Sequence, residues 1–347
     1  MKLVIITDAW APQVNGVVRT LSKTREQLLE MGYDVVMITP QSFMTVPCPS
    51  YPSIRLAVLP YRKLSIMLNN LQADAVHIAT EGPLGMAARR WCLRRNVQFT
   101  TSFHTQFPEY LRLRLPIPLS WSYAWLRRFH RPAVRTLVPT ASQKQHLQSY
   151  GFSHLHIWGR GVDTQLFTPD NVKQLDLPRP IFMTMGRVAA EKNIEAFLTL
   201  DLPGSKVVIG DGPDLASLQQ RYPEVVFTGA KFNEELAAYL AAGDVFVFPS
   251  KTDTFGLVIL EAMACGLPVA AFPVTGPKDI VINGKTGQLS WDLQTAALDA
   301  LTLQKTDCIA YARAHDWLKS SEKFARMMFN NNDAVSTETT LLQHPVN

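Results

Sequence analysis

Cysteine is scarce in this chain: 347 residues hold four, Cys48, Cys92, Cys265 and Cys308. They are widely scattered and make no metal or redox spacing, so a disulfide scaffold is excluded and a reduced, cytosolic setting is expected. Long apolar runs are missing too, and no stretch approaches the roughly 20 apolar residues that cross a bilayer. The opening Met1-Lys2-Leu3-Val4-Ile5-Ile6-Thr7-Asp8 reaches an acidic residue too soon for a secretory signal. Low-complexity segments and short repeats are absent, which excludes a solenoid. No G-x-G-x-x-G follows the first apolar run, which argues against a dinucleotide dehydrogenase.

What is present describes a globular protein with ample core: 47% of residues are hydrophobic and 18% charged. The length exceeds one typical domain and predicts two of about 150 residues each. Charge divides along the same line. Residues 1–170 carry 19 Lys and Arg against 9 Asp and Glu, whereas residues 171–347 carry 15 against 20. The halves therefore have different electrostatic roles within a net charge of +5.

Apolar runs alternate with helical patterns in both halves. Strands are predicted at Leu3–Thr7, Asp34–Thr39, Ile54–Leu59, Ala75–Ala79, Val97–Phe103, Leu137–Val138 and Leu155–Trp158. Helices are predicted at Asn15–Met31, Gly85–Arg95, Leu119–Phe129 and Gln143–Tyr150. After the polar, proline-bearing stretch Thr168–Pro180 the pattern restarts, with strands at Ile181–Met185, Val207–Ile209, Val225–Thr228, Val245–Phe248 and Val269–Phe272, and a helix capped by Asn233. Both halves read as doubly wound, Rossmann-like α/β units. The expected organisation is a domain at 1–170, a second at 171–310, a helix at 311–330 (part of a restart over Ile309–Phe329), and a disordered tail at 331–347.

The densest chemistry lies between Gly243 and Phe272. A buried strand ends at Pro249-Ser250, a polar turn Lys251-Thr252-Asp253-Thr254 follows, and Phe255–Cys265 reads as a helix closed by Gly266. The first N–H groups of that helix, at Gly256, Leu257 and Val258, suit an anion. Asp253 and Glu261 beside them can accept hydrogen bonds from sugar hydroxyls. Equally, Asp253 is a plain helix cap and Glu261 a solvated charge.

Other strand ends add candidates. Asp8 to Val18 contains Asn15-Gly16 and is either a phosphate- or acceptor-facing loop or a plain turn. His104 follows a buried strand and is either structural or a sugar ligand. Gly186-Arg187 and Glu191-Lys192-Asn193 share one connection, where Arg187 and Lys192 form either a diphosphate clamp or a solvated basic loop. Gly210-Asp211-Gly212-Pro213 makes a tight turn after another strand.

The run D-x-F-G-L-V-x-L-E-A-M-A-C-G-L-P-V resembles the nucleotide-sugar signature of the retaining glycosyltransferases with the GT-B fold. That family includes phosphatidylinositol mannosyltransferases, sucrose synthases and sulfoquinovosyltransferases. Its two signature acids, eight residues apart, match Asp253 and Glu261, with Asp where the first is usually Glu. Asn15-Gly16, His104, G-R followed by E-K-N, G-D-G-P and Arg160-Gly161-Val162-Asp163 match its other motifs in order.

The resemblance implies a GT-B α/β fold, with two Rossmann-like domains facing across a cleft. It implies hexose transfer from a GDP- or UDP-sugar with retention of configuration, the donor being a substrate and no cofactor or metal being bound. No D-x-D cluster is present. On the donor side it places Gly16, Gly186, Gly210, Asp211, Gly212, Phe255, Gly256, Leu257, Val258 and Glu261, with Glu261 on the ribose. Arg187 and Lys192 would face the diphosphate, and Asp253 and His104 the sugar. Asp8 and Asn15 fall on the acceptor side, and the last helix is expected to cross back to the first domain.

From Arg89 to Arg135 there are ten arginines, no lysine and one acid, Glu109, interleaved with aromatics. Arg112, Arg114, Trp125, Arg127 and Arg128 read as an interfacial segment for an anionic membrane surface; nucleic acid attracts such sequences too, and a solvated face over core aromatics explains them equally. The family's lipid-glycosylating members point to a lipid-linked acceptor, no nucleic acid, and a peripheral position at the inner face of the membrane. A nucleotide-sugar epimerase of the same layout and a non-catalytic membrane- or nucleic-acid-binding protein are the alternatives.

Overall fold

The computed structural model describes residues 1–13, 15–48, 51–112 and 118–329. The expected tail at 331–347, and Arg114, lie outside the described residues.

The first half holds β1 (Lys2–Ile6), β2 (Asp34–Ile38), β3 (Thr45–Cys48), β4 (Tyr51–Ala57), β5 (Ala75–Ile78), β6 (Thr100–Ser102), β7 (Arg135–Val138) and β8 (Leu155–Ile157). Six of these form one parallel sheet in the order β2-β1-β5-β6-β7-β8. Leu3 to Ile6 are all fully buried, as required of a parallel strand covered on both faces. Their side chains alternate between two cores. Leu3 and Ile5 pack with Leu21, Leu28 and Phe324, whereas Val4 and Ile6 pack with Leu84, Ala88 and Trp91.

One expected strand falls elsewhere. The strand expected at Ile54–Leu59 within the doubly wound pattern falls instead in β4, which pairs antiparallel with β3 in a separate two-stranded ribbon. Its alternating side chains fit a half-exposed ribbon as well as a sheet edge, and sequence shows the alternation without the partner.

The second half holds β9 (Ile181–Met185), β10 (Ser205–Ile209), β11 (Val226–Phe227), β12 (Val245–Phe248), β13 (Val269–Ala271) and β14 (Gly287–Leu289). They form a second parallel sheet in the order β11-β10-β9-β12-β13-β14. This is the Rossmann order, with its switch point between β9 and β12, where ligands bind beyond the carboxyl ends of the strands. Asn233, expected to cap a helix, stands inside the Asn233–Ala241 helix, whose cap position is Phe232.

The last helical stretch is two helices, Lys305–Ala314 and Trp317–Phe329, rather than one from Ile309 to Phe329. The break is where the chain crosses back to the first sheet. Val162 N–H donates to the His315 carbonyl at 2.9 Å, and Gly161 lies against the Asp316–Trp317 backbone so closely that a β-carbon would sit 2.4 Å from the Trp317 nitrogen. Beyond the break, Phe324, Ala325 and Met328 bury into the first lobe's core. Trp158 Nε1 donates to the Ser320 carbonyl at 3.2 Å, and Arg135 donates to the Met327 carbonyl at 2.9 Å.

Candidate active site

The connection after β12 builds the centre of the site. Gly256, at φ 91°, occupies the left-handed region that glycine tolerates and turns the chain into the Leu257–Ala264 helix. The helix thus begins two residues after the expected Phe255. No side chain from the cap position covers its start, so its first N–H groups keep their capacity for an anion. The Leu257 side chain comes within 3.7 Å of where a β-carbon on Gly16 would stand. Gly16 opens the Gly16–Glu30 helix of the first lobe, so two helix starts meet here.

Those two starts differ chemically. The Asn15 side chain accepts from Val17 N–H and Val18 N–H, both at 3.0 Å. Two of the amides beside Gly16 are therefore engaged within the helix start, where Asn15 serves as the N-cap. At Gly16 an added β-carbon would make only ordinary contact with Leu257 of the second lobe.

Asp8 also departs from expectation. Its carboxylate accepts from Leu84 N–H at 2.9 Å, Gly85 N–H at 3.3 Å and the Thr80 hydroxyl at 2.9 Å. It caps the Pro83–Arg95 helix, whose own cap residue, Gly82, has no side chain to offer. Asp8 is buried and committed to that helix start instead of facing an acceptor.

Both signature carboxylates are half-satisfied. Asp253 Oδ1 accepts from Lys192 Nζ at 2.6 Å, while Asp253 Oδ2 is buried with no partner among the described residues. Glu261 is buried, its Oε1 held by the guanidinium of Arg19 from the first lobe, and its Oε2 is likewise unpartnered. Burial pushes the Glu261 carboxyl above its ordinary range, against the opposing pull of Arg19. Buried polar atoms without partners are rare, and two such acceptor oxygens stand on one cleft wall.

The Lys192 loop is tied to the Asp253 loop. Asn193 takes φ 53° and donates to the Pro249 carbonyl at 3.0 Å, and the Thr252 hydroxyl donates to the Glu191 carbonyl at 3.3 Å. Just upstream, Gly186 and Gly210 stack at the ends of β9 and β10. A β-carbon on Gly210 would lie 1.8 Å from the Gly186 carbonyl oxygen. Arg187 leaves this turn exposed. Val188 N–H donates to the Asp211 carbonyl at 3.0 Å, and Asp211 Oδ1 accepts from Gly212 N–H at 2.7 Å, so that side chain shapes its own turn.

His104 closes the site from the first lobe. Its Nδ1 lies 3.2 Å from the Arg160 guanidinium, which can only donate, so Nδ1 accepts and the ring proton sits on Nε2. Burial, with Arg160 adding to it, holds the ring far below its ordinary pKa and hence neutral. His104 Nε2 is buried and unpartnered among the described residues, a donor to complement the two carboxylate acceptors. Arg160 is itself buried, stacked 4.3 Å over Trp158 and bonded to the Trp158 carbonyl at 2.6 Å, with burial lowering its pKa to about 9.

Three contacts join the lobes around this centre. The Thr254 hydroxyl donates to the His104 carbonyl at 2.7 Å, Ser142 N–H donates to Asp279 Oδ1 at 2.9 Å, and Arg19 pairs with Glu261. Arg19 and Thr254 were not among the sequence candidates, and Arg160 entered only as part of a motif. For Arg19 the available signal was a cation in the first turn of a helix, where the dipole disfavours it.

The basic, aromatic stretch divides between core and surface. Tyr123, Leu126, Phe129 and His130 bury one face of the Leu119–His130 helix, while Trp121 is 74% and Trp125 46% exposed. Arg112 and Arg128 are exposed, and Arg127, also exposed, donates to the Tyr150 carbonyl at 2.8 Å. Among the described residues no helix is long and apolar enough to cross a membrane.

Two Rossmann-like lobes, with a helix start and half-satisfied carboxylates in the cleft between them, define a GT-B glycosyltransferase. Residues 14–166 match the family Glycosyltransferase Family 4 and residues 179–303 match Glycosyl transferases group 1. A GDP-mannose-dependent alpha-mannosyltransferase of Mycobacterium tuberculosis is 32% identical over 316 residues, covering 83% of each chain. A sulfoquinovosyl transferase of Arabidopsis thaliana is 31% identical over 302 residues, 76% of this chain and 58% of that one. Among solved structures, sucrose-phosphate synthase from Thermosynechococcus elongatus superposes with a TM-score of 0.75 at 22% identity, over 94% of this chain and 98% of that chain. Anabaena HepE, solved with UDP and glucose, gives 0.66 at 16%, over 94% and 99%. The chain belongs to the GT-B glycosyltransferase family and is a nucleotide-sugar-dependent glycosyltransferase.

Proposed function

We propose that the enzyme moves a mannose from GDP-mannose, with retention of configuration, to a lipid-linked acceptor at an anionic membrane surface. The observation that carries the donor site is a trio of buried polar atoms with no partner among the described residues, on and around the Leu257–Ala264 helix: His104 Nε2, Asp253 Oδ2 and Glu261 Oε2. One donor and two acceptors match a ligand rich in hydroxyls, and the uncapped helix start beside them matches a diphosphate. The choice of GDP-mannose rests on the relatives of known name.

Negative charge grows on the departing diphosphate as the sugar takes on oxocarbenium character. Arg187, Lys192 and the amides at Gly256, Leu257 and Val258 stabilise it. Lys192 has three N–H donors and can hold Asp253 and a phosphate oxygen together. Asp253 and His104 orient the sugar, and Glu261 accepts from the ribose hydroxyls. Phe255 and the Gly186, Gly210, Asp211 and Gly212 turns shape the nucleotide end. The acceptor's proton goes to the donor phosphate, so no side chain is assigned as base.

The exposed Trp121 and Trp125, with Arg112 and Arg128, support a peripheral membrane position; each cation contributes about 1 kcal/mol near an anionic surface. The test is a transfer assay pairing GDP-mannose and UDP-glucose with extracted membrane lipids. Mannosylated lipid with an α linkage is the expected product. Turnover of donor with no acceptor would favour an epimerase.

A further inference from the structure

The ion pair between Arg19 and Glu261 joins the two lobes, and its members are unequally placed. Glu261 is buried on the second lobe, whereas Arg19 is partly exposed on the first lobe's Gly16–Glu30 helix. Arg19 stands in the first turn of that helix, its N–H bonded to the Asn15 carbonyl at 3.1 Å. A cation there opposes the helix dipole, so local helix energetics do not account for it. Across the cleft it occupies Glu261 Oε1 and leaves Oε2, buried and unpartnered, as an acceptor.

We infer that Arg19 is a positioning residue for donor binding: it holds the Glu261 carboxylate ionised and in one orientation, so that it can accept from vicinal hydroxyls of the donor's ribose. This rests on the proposed donor site. Removing a charged partner from a buried carboxylate leaves it to protonate or rotate, and a protonated carboxyl loses acceptor capacity. Because Arg19 belongs to the opposite lobe, Glu261 reaches this state only with the cleft closed. Closure and donor capture are thereby coupled through one guanidinium.

The experiment uses the full chain, GDP-mannose and UDP-glucose as probes, and the variants Arg19→Ala, Arg19→Lys, Glu261→Ala and the Arg19/Glu261 double alanine. Donor KM is expected to rise about 10- to 100-fold in Arg19→Ala, the range for losing a charged hydrogen bond. The kcat should change far less, Arg19→Lys should recover most of the loss, and the double variant should be no worse than Glu261→Ala. GDP lacking both ribose hydroxyls should bind Arg19→Ala and the unaltered chain alike. An unchanged or lowered donor KM in Arg19→Ala, beside a raised one in Glu261→Ala, overturns the inference. A fall in kcat and thermal midpoint without the KM change overturns it too, as a structural role. Normal donor binding by Glu261→Ala, or no binding of either probe by the unaltered chain, instead defeats the donor-site reading beneath it.

Discussion

Thr254 and His104 touch across the cleft, the threonine hydroxyl donating to the histidine carbonyl at 2.7 Å. One residue away on the threonine side is Asp253, and on the histidine itself is the unpartnered Nε2. Replacing Thr254 with Val keeps the shape and removes the donor. The expected result is a kcat/KM about 5- to 10-fold lower and about 1 kcal/mol less stability, read from steady-state kinetics and urea midpoints.

Lys192→Ala is expected to abolish transfer with the fold intact. It removes a cation from the leaving group and leaves Asp253 unpaired in a buried place. A fall of about a thousandfold or more in kcat, with an unchanged circular dichroism spectrum, is the outcome to look for. Retained turnover would remove Lys192 from the diphosphate.

His77 lies beneath the site, fully buried, with Nδ1 2.8 Å from the Thr100 hydroxyl and Nε2 2.9 Å from the Ser102 hydroxyl. Burial drops its pKa to about 3. Between pH 6.5 and 3 the unfolded chain binds a proton there that the folded chain does not, so stability falls as pH falls. The slope is about 1.4 kcal/mol per pH unit, and the loss ends where the folded ring protonates. Above pH 6.5 the ring contributes nothing to the pH dependence. Urea midpoints at pH 7.5 and 5.5 should show the loss, and His77→Gln should reduce it, leaving the part contributed by the neutral His104 ring.

Gly210 should tolerate no side chain. Its φ of 154° and the 1.8 Å approach to the Gly186 carbonyl make Gly210→Ala destabilising by about 3 kcal/mol or more, measurable by denaturant unfolding.

The membrane reading predicts that Trp121→Ser with Trp125→Ser lowers partitioning onto anionic vesicles at least about tenfold, because two interfacial aromatics are lost from an exposed helix face. Sedimentation with vesicles of anionic and of neutral lipid checks it. Equal partitioning before and after substitution would leave that face as ordinary surface.

The inner strands of both sheets could be read from sequence where they are unbroken apolar runs, such as Leu3 to Ile6 and Val245 to Phe248, whereas the short edge strand Gly287–Leu289, half-buried and opening on glycine, carries no such run. Residues that sit together in one connection, Lys192 or Asp253 with Glu261, were also legible, since spacing places them on a common loop or helix. What escaped depends on distant partners. Asp8 looks like a strand-end ligand until Leu84 and Gly85 claim it. The N-cap role of Asn15 likewise shows only once Val17 and Val18 are in place. Arg19 acquires meaning only once the lobes are apposed, and Arg160 only once the first lobe's fold brings His104 to it, because a single arginine carries no periodicity.

The polypeptide passes between the lobes twice, and both passages run side by side where Gly161 abuts Asp316 and Trp317. Two adjacent tethers restrict the lobes to swinging about that one edge, like covers about a spine. A side chain at Gly161 would press within 2.4 Å of the Trp317 nitrogen, so a substitution there strains the joint of the two tethers instead of the cleft itself.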